Sequence, residues 1–123
     1  MSFLEAVSSA LRNFKVYTGR SGRAEYWYWF LFVFIANMLL SIPTVMMAMI
    51  TDEPALLAPF YLAQLTIAIF LLLPTIAVTI RRLHDTNLSG WYMLLFFLPA
   101  VGGIINIIMM VQPGTPGGNR YGV

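Results

Sequence analysis

His84-Asp85 is the only histidine–carboxylate neighbour pair in the chain, set within Arg81-Arg82-Leu83-His84-Asp85-Thr86-Asn87-Leu88-Ser89-Gly90-Trp91. General acid–base work by this pair needs a substrate proton or nucleophile within hydrogen-bond reach, and sequence neighbours hold their side chains in poor mutual geometry for that. Ser89 completes a triad on paper, but no nucleophile-elbow pattern surrounds it. One histidine and no cysteine argue against zinc, which usually takes three or four protein ligands. No metal or cofactor is expected. The simpler roles are Asp85 compensating Arg81 or Arg82, and Ser89 capping the helix that follows.

A second polar group, Gly19-Arg20-Ser21-Gly22-Arg23-Ala24-Glu25, is neither a P-loop nor a dinucleotide fingerprint. Arg20 and Arg23 are i, i+3 neighbours. Joined to Arg81 and Arg82 they would make a four-arginine collar suited to an anionic lipid phosphate. Glu25 stands one residue before the aromatic run Tyr26-Trp27-Tyr28-Trp29-Phe30, where an unpaired carboxylate would be poorly solvated. A salt bridge from Glu25 to Arg81 or Arg82 is therefore predicted.

The elements that must position these groups are mostly hydrocarbon. The 123 residues are 59% hydrophobic and 10% charged, with a mean hydropathy of +0.78. Ordinary globular chains are about 25% charged, and a domain this small cannot bury so much apolar surface from water. Residues 26–51, 54–80 and 86–119 contain no Asp, Glu, Lys or Arg. The fold class predicted is all-α integral membrane, in one domain over 1–123. It comprises a short interfacial amphipathic segment (1–20), three spans (26–50, 56–80 and 91–111) and an irregular Gly/Pro-rich tail (112–123). In the first segment Phe3, Leu4, Val7, Leu11 and Phe14 form an apolar stripe, which suits a helix lying in the headgroup plane or packed on the rest of the chain. Ser21 is placed to cap the first span. Nothing in residues 1–25 has the pattern of a cleaved signal, so retention at full length is expected.

All three spans carry a proline: Pro43, Pro74 and Pro99. In the third, Pro99, Gly102 and Gly103 either kink the helix or break it. Each half of a broken helix would be about 12 Å long, too short to cross, so a kinked span is preferred. Six of the seven Lys and Arg residues lie in the N-terminal segment and the 81–90 loop. By the positive-inside rule these parts are cytoplasmic and the tail is outside. Polar residues share helix faces: Asn37, Ser41 and Thr44 in the first span, Gln64, Thr75 and Thr79 in the second, Asn106 with Gly102 and Gly103 in the third. They read as a packing seam, with a hydrophilic path as the alternative.

The motifs Gly19-Arg20-x-x-Arg23-x-Glu25-Tyr26-Trp27, Arg81-Arg82-Leu83-His84-Asp85, Ser89-Gly90-Trp91, Gly114-Thr115 and Asn119-Arg120-Tyr121-Gly122 together resemble the YhaH/YhaI-like small bacterial inner-membrane proteins. The resemblance implies an inner-membrane protein of three or four spans and supplies no activity, substrate or cofactor. It implies that Arg20, Arg23, Glu25, Arg81, Arg82, His84, Asp85, Asn119 and Arg120 matter as a group, which favours a third segment that folds back. The leading functional expectation is non-enzymatic binding of anionic lipid, or of a membrane partner in a homo-oligomer or larger complex. A small transporter or channel subunit lined by Asn37, Gln64, Thr75 and Asn106 is the alternative, and a lipid-headgroup enzyme using His84 and Asp85 ranks last. No nucleic-acid partner is expected.

Overall fold

The computed structural model describes residues 1–122 and is all-helical, with no strand among the described residues beyond an isolated Asn119–Gly122 bridge. Helix α1 spans Phe3–Arg12, α2 Arg23–Ile50, α3 Pro54–Asp85, a 3-10 helix Gly90–Phe97, and α4 Gly102–Met110. The α2 and α3 helices are long and apolar enough to cross a membrane. They run antiparallel from a tight turn, where Thr51 Oγ1 accepts from the Glu53 amide at 3.0 Å and Pro54 opens α3. Proline suits that first helical position, since its missing N–H has no helical partner there anyway.

Along their length the pair is tied by Trp29 Nε1 donating to Thr75 Oγ1 at 3.0 Å and Thr44 Oγ1 to Gln64 Oε1 at 2.7 Å, and at their end by Arg81 bonding Glu25. The α1 helix is capped by Ser2, whose hydroxyl accepts from the Glu5 amide at 3.2 Å. It packs on α2 and α3 through Ala6, Val7 and Ala10, and Phe3 meets the Tyr28 ring edge-on at 5.8 Å. Leu4 and Leu11 of the same helix face outward, 75% and 45% exposed. Ser21 does not cap α2. Gly22 holds the cap position, and Ser21 is buried with its amide donating to the Arg81 carbonyl at 2.9 Å.

The third apolar stretch departs most from expectation. In place of a kinked span over 91–111, the chain forms the 3-10 helix, a sharp turn and α4. Ser89 caps the 3-10 helix, accepting from the Trp91 amide at 3.3 Å. The turn forms at Pro99, which has no amide to donate, and Ala100 takes φ +67. Gly102 then passes against the Phe96 carbonyl so closely that a Cβ would collide with it. Eight 3-10 residues rise about 16 Å, and nine α-helical residues about 14 Å. Neither limb matches a hydrocarbon core of about 30 Å. Both outer ends return to the close of α3. Gly90 lies against Ile80, and the Met110 carbonyl accepts from Arg82 Nη2 at 3.1 Å.

The buried core follows from that return. Val7, Ala10, Tyr26, Trp29, Val78, Leu83 and Met110 pack together at the end where α2 begins and α3 finishes. Further along α2 and α3, most large apolar side chains are exposed.

Candidate functional site

The last turn of α3 carries Arg81, Arg82, His84 and Asp85, all buried or half-buried, and its spacing sends them to different partners. Arg81 points to the first turn of α2, where its Nη1 meets Glu25 Oε1 at 3.1 Å; Ser9 on α1 donates to the same oxygen at 3.2 Å. Glu25 thus joins three helices. Arg82 is wholly buried, with Nη1 2.6 Å from Asp85 Oδ2, and its Nη2 donates to the carbonyls of Met110 and Gln112.

Those carbonyls belong to the open end of α4 and the residues after it. The last carbonyls of a helix have no intrahelical donor and carry the negative end of the dipole, so a cation is well placed there. Trp27 Nε1 shares the Met110 carbonyl at 3.3 Å, and Arg23 reaches Val111 at 3.4 Å. One turn back, the Tyr26 hydroxyl donates to Asn106 Oδ1 at 2.9 Å. The first turn of α2 and the last turn of α3 together hold α4.

Arg20 does the same for the tail. Its guanidinium pairs with Asp85 Oδ1 at 2.9 Å and donates to the carbonyls of Thr115 at 2.7 Å and Gly117 at 2.6 Å. The Thr115 amide returns a bond to the Asp85 carbonyl at 2.8 Å. Gly114 lies so near the Asp85 carboxylate that a Cβ would overlap it. Asn119 Nδ2 donates to the His84 carbonyl at 3.0 Å, and its own Oδ1 accepts from the Tyr121 amide at 2.8 Å. Arg120 donates to the Asn87 carbonyl at 3.1 Å, with its guanidinium 5.2 Å from the Tyr121 ring centre.

His84 stacks flat on Tyr121, rings 3.9 Å apart and 4° from parallel. Its Nδ1 lies 3.0 Å from the Gly19 carbonyl. A carbonyl only accepts, so Nδ1 carries the proton and faces away from relay duty with Asp85.

All nine residues of the arginine-rich group therefore meet at one end. The tail lies there too, which corrects its placement on the opposite side by counting basic residues. Arg81 Nε and Nη2 and Arg82 Nε are buried without a hydrogen-bond partner among the described residues. Among the described residues, Arg20, Arg81 and Arg82 pair with the carboxylates of Glu25 and Asp85, while Arg23 and Arg120 reach backbone carbonyls. Sequence reasoning missed Tyr121, Thr115, Tyr26 and Ser9 as participants; the Gly-Thr and Asn-Arg-Tyr-Gly tail motifs were the available signal for the first two.

The polar seam is not continuous. Asn37 Nδ2 donates to the Val33 carbonyl at 3.0 Å and Ser41 Oγ to the Met38 carbonyl at 2.7 Å, within their own helix. Thr79 likewise donates to Thr75. Of the seam residues, Thr44 and Gln64 bond each other across α2 and α3, Thr75 accepts from Trp29, and Asn106 accepts from Tyr26. A cleft of about 380 Å³ opens beside the cap, walled by Tyr17, Ile80, His84, Trp91, Met93 and Leu94.

Comparison with known proteins gives this architecture a place. The inner membrane protein YhaI of Escherichia coli strain K12 is 39% identical over 114 residues, which cover 93% of this chain and 89% of YhaI. The inner membrane protein YhaH of the same strain is 37% identical over 113 residues, 91% of this chain and 88% of YhaH. No solved structure matches. The model of the family described as "Protein of unknown function (DUF805)" matches residues 14–123, nearly the whole length and every element of the cap except α1. With apolar helices of crossing length and inner-membrane relatives on both counts, the chain is a membrane protein belonging to the DUF805 family.

Proposed function

We propose that this protein crosses the inner membrane twice, with both ends and the arginine-rich cap cytoplasmic, and that the cap is a non-enzymatic binding surface for anionic phospholipid. In this topology α2 and α3 are the crossings. The 3-10 helix and α4 form a re-entrant hairpin, and α1 lies in the interface with Leu4 and Leu11 toward lipid. An in-plane helix of this kind buries its apolar face about 5–10 Å into the headgroup boundary.

The observation that carries the reading is the charge asymmetry between the two ends. Arg12, Lys15, Arg23 and Arg120 are exposed on the cap side, whereas Asp52 and Glu53 are exposed at the α2–α3 turn and no Lys or Arg is near them in sequence. Anionic lipid attracts exposed cations by about 1 kcal/mol each near the surface. Arg120 bonds Asn87 and lies over Tyr121, whose ring stacks on His84 in the cleft wall. In this reading its guanidinium takes the phosphate and the apolar cleft walls take part of an acyl chain.

The inner arginines play a different part, since Arg20, Arg81 and Arg82 are engaged with carboxylates and carbonyls of their own chain. What weighs against a His84–Asp85 relay is that His84 Nδ1 engages the Gly19 carbonyl while Asp85 pairs with Arg20 and Arg82. What weighs against a transport path is that Asn37 bonds its own helix and Asn106 bonds Tyr26.

Lipid retention on the purified protein, read by native mass spectrometry in mixed phosphatidylglycerol and phosphatidylcholine, tests this. Phosphatidylglycerol should be retained preferentially, and Arg120→Gln should lower that preference about fivefold, the equivalent of about 1 kcal/mol. Equal retention of the two lipids, or an unchanged preference in Arg120→Gln, would overturn the proposal.

A further inference from the structure

Asn37 sits near the middle of α2, about 21 Å along the helix from Arg23. It is exposed, its Nδ2 bonds Val33, and its Oδ1 accepts no hydrogen bond from any described residue. With α2 in a bilayer this carbonyl would face hydrocarbon, where a polar group without a partner is costly.

The surroundings of Asn37 have the spacing of a helix–helix seam. Phe30, Phe34, Asn37 and Ser41 follow the alternating four-and-three pattern that keeps one stripe facing a partner; its next position, Thr44, turns in to Gln64 of α3, and Ala48 lies one turn beyond. Of the four, all but the half-buried Ser41 are exposed, Phe30 by 51% and Phe34 by 57%. The stripe runs beside the face that packs on α3, where Trp29 and Thr44 are buried and bonded to Thr75 and Gln64. Contacts to α1 and α4 come from Glu25, Tyr26, Trp27, Tyr28 and Phe32, the last in the third turn of α2. No described residue covers the stripe at the depth of Asn37.

We infer that this stripe is the interface with a second copy of the chain, centred on a reciprocal Asn37–Asn37 hydrogen bond. The amide offers both donor and acceptor, so it is complementary to itself. Copies inserted in one orientation are related by a two-fold axis along the membrane normal, which brings each residue opposite its counterpart at equal depth. Two α2 helices crossing at about 20° would approach most closely near Asn37 and Ser41, and the small Ser41 side chain lets the backbones come near. A different membrane protein would need a polar group at that same depth; a second copy has one by construction. The inference rests on α2 crossing the bilayer and is independent of lipid binding at the cap.

The absence of native cysteine makes the test direct. The full-length chain with Ser41→Cys, oxidised in native membranes, should give a disulfide-linked dimer. Leu39→Cys, exposed on the opposite side of α2, should not. Adding Asn37→Leu to Ser41→Cys should reduce dimer about 3- to 30-fold, the range for an interhelical polar contact in membranes. Asn37 is exposed, so this change leaves the packing within one copy intact. The mass of the unmodified protein in detergent, dimeric for the native chain and monomeric for Asn37→Leu, gives a readout without cysteine. Equal cross-linking at positions 39 and 41, a yield insensitive to Asn37→Leu, or cross-linking to a different protein would each overturn the inference.

Discussion

Replacing Asp85 with asparagine removes the one charge that faces two guanidiniums at once. Its carboxylate lies 2.9 Å from the Arg20 guanidinium and 2.6 Å from Arg82, with Arg82 fully buried and Asp85 15% exposed. The amide preserves shape and one acceptor but turns an N–H toward one of the arginines. Breaking a buried ion pair costs about 3–5 kcal/mol, because the surviving charge stays desolvated without compensation. The retained acceptor and the slight exposure of Asp85 put Asp85→Asn near the lower figure, about 3 kcal/mol. The backbone bond from the Thr115 amide to the Asp85 carbonyl survives the change.

The loss falls on the local closure of the cap, since Arg20 holds the linker before α2 and the tail through this carboxylate. Ser21, next to Arg20, is 1% exposed, and Ser21→Cys places a nearly isosteric thiol there in a chain with no other cysteine. Maleimide labelling of that thiol reads the local opening equilibrium. At about 1.4 kcal/mol per decade, a cost of about 3 kcal/mol predicts labelling about 150-fold faster in Asp85→Asn. Asp52→Asn, at the exposed opposite end, should leave the rate unchanged. An increase below about fivefold with Asp85→Asn would put the bridge at no more than about 1 kcal/mol, the worth of an ordinary surface pair, and the latch reasoning would fail.

Glu25→Ala should strip Arg81, 5% exposed, of its counter-charge and cost about 3–5 kcal/mol, seen as a melting point in detergent lower by on the order of 10 °C. An unchanged melting point would count against the pairing. Gly102→Ala should prevent the turn between the 3-10 helix and α4 from closing, because its Cβ meets the Phe96 carbonyl; a lower melting point in detergent is the expected sign, and an unchanged one would count against the tight turn. Reporter fusions should place Met1 and the tail after Arg120 in the cytoplasm and the Asp52-Glu53 turn outside. A tail reporter active only outside would contradict the hairpin.

The two long helices were legible because water cannot solvate runs such as 26–51 and 54–80, so composition alone demands helices there. The Glu25–Arg81 contact was legible for a related reason: a carboxylate beside five aromatic residues needs a cation, and few were within reach. The return of the tail to the arginine-rich end was not legible by counting basic residues. That count treats each guanidinium as a free charge drawn to the cytoplasm, and a tail with Arg120 alone weighs little in it.

What fixes the tail is neutral chemistry that a charge count leaves out. Pro113, Pro116 and the glycines around them cannot form a helix, so their segment carries carbonyls with no helical donors. Arg20, in the linker before α2, and Arg82, in the last turn of α3, each present several N–H groups, and their carboxylate partner, Asp85, uses only some of them. Of the other donors, Arg82 Nη2 meets Met110 and Gln112, and the Arg20 guanidinium meets Thr115 and Gly117. The break at Pro99–Gly103 belongs to the same account. A third crossing would carry the carbonyls of Met110 and Gln112 to the far side of the bilayer, away from Arg82, and leave that wholly buried cation with Asp85 as its sole partner. The hairpin and the arginine pair therefore require each other, and a substitution that opens either should release both.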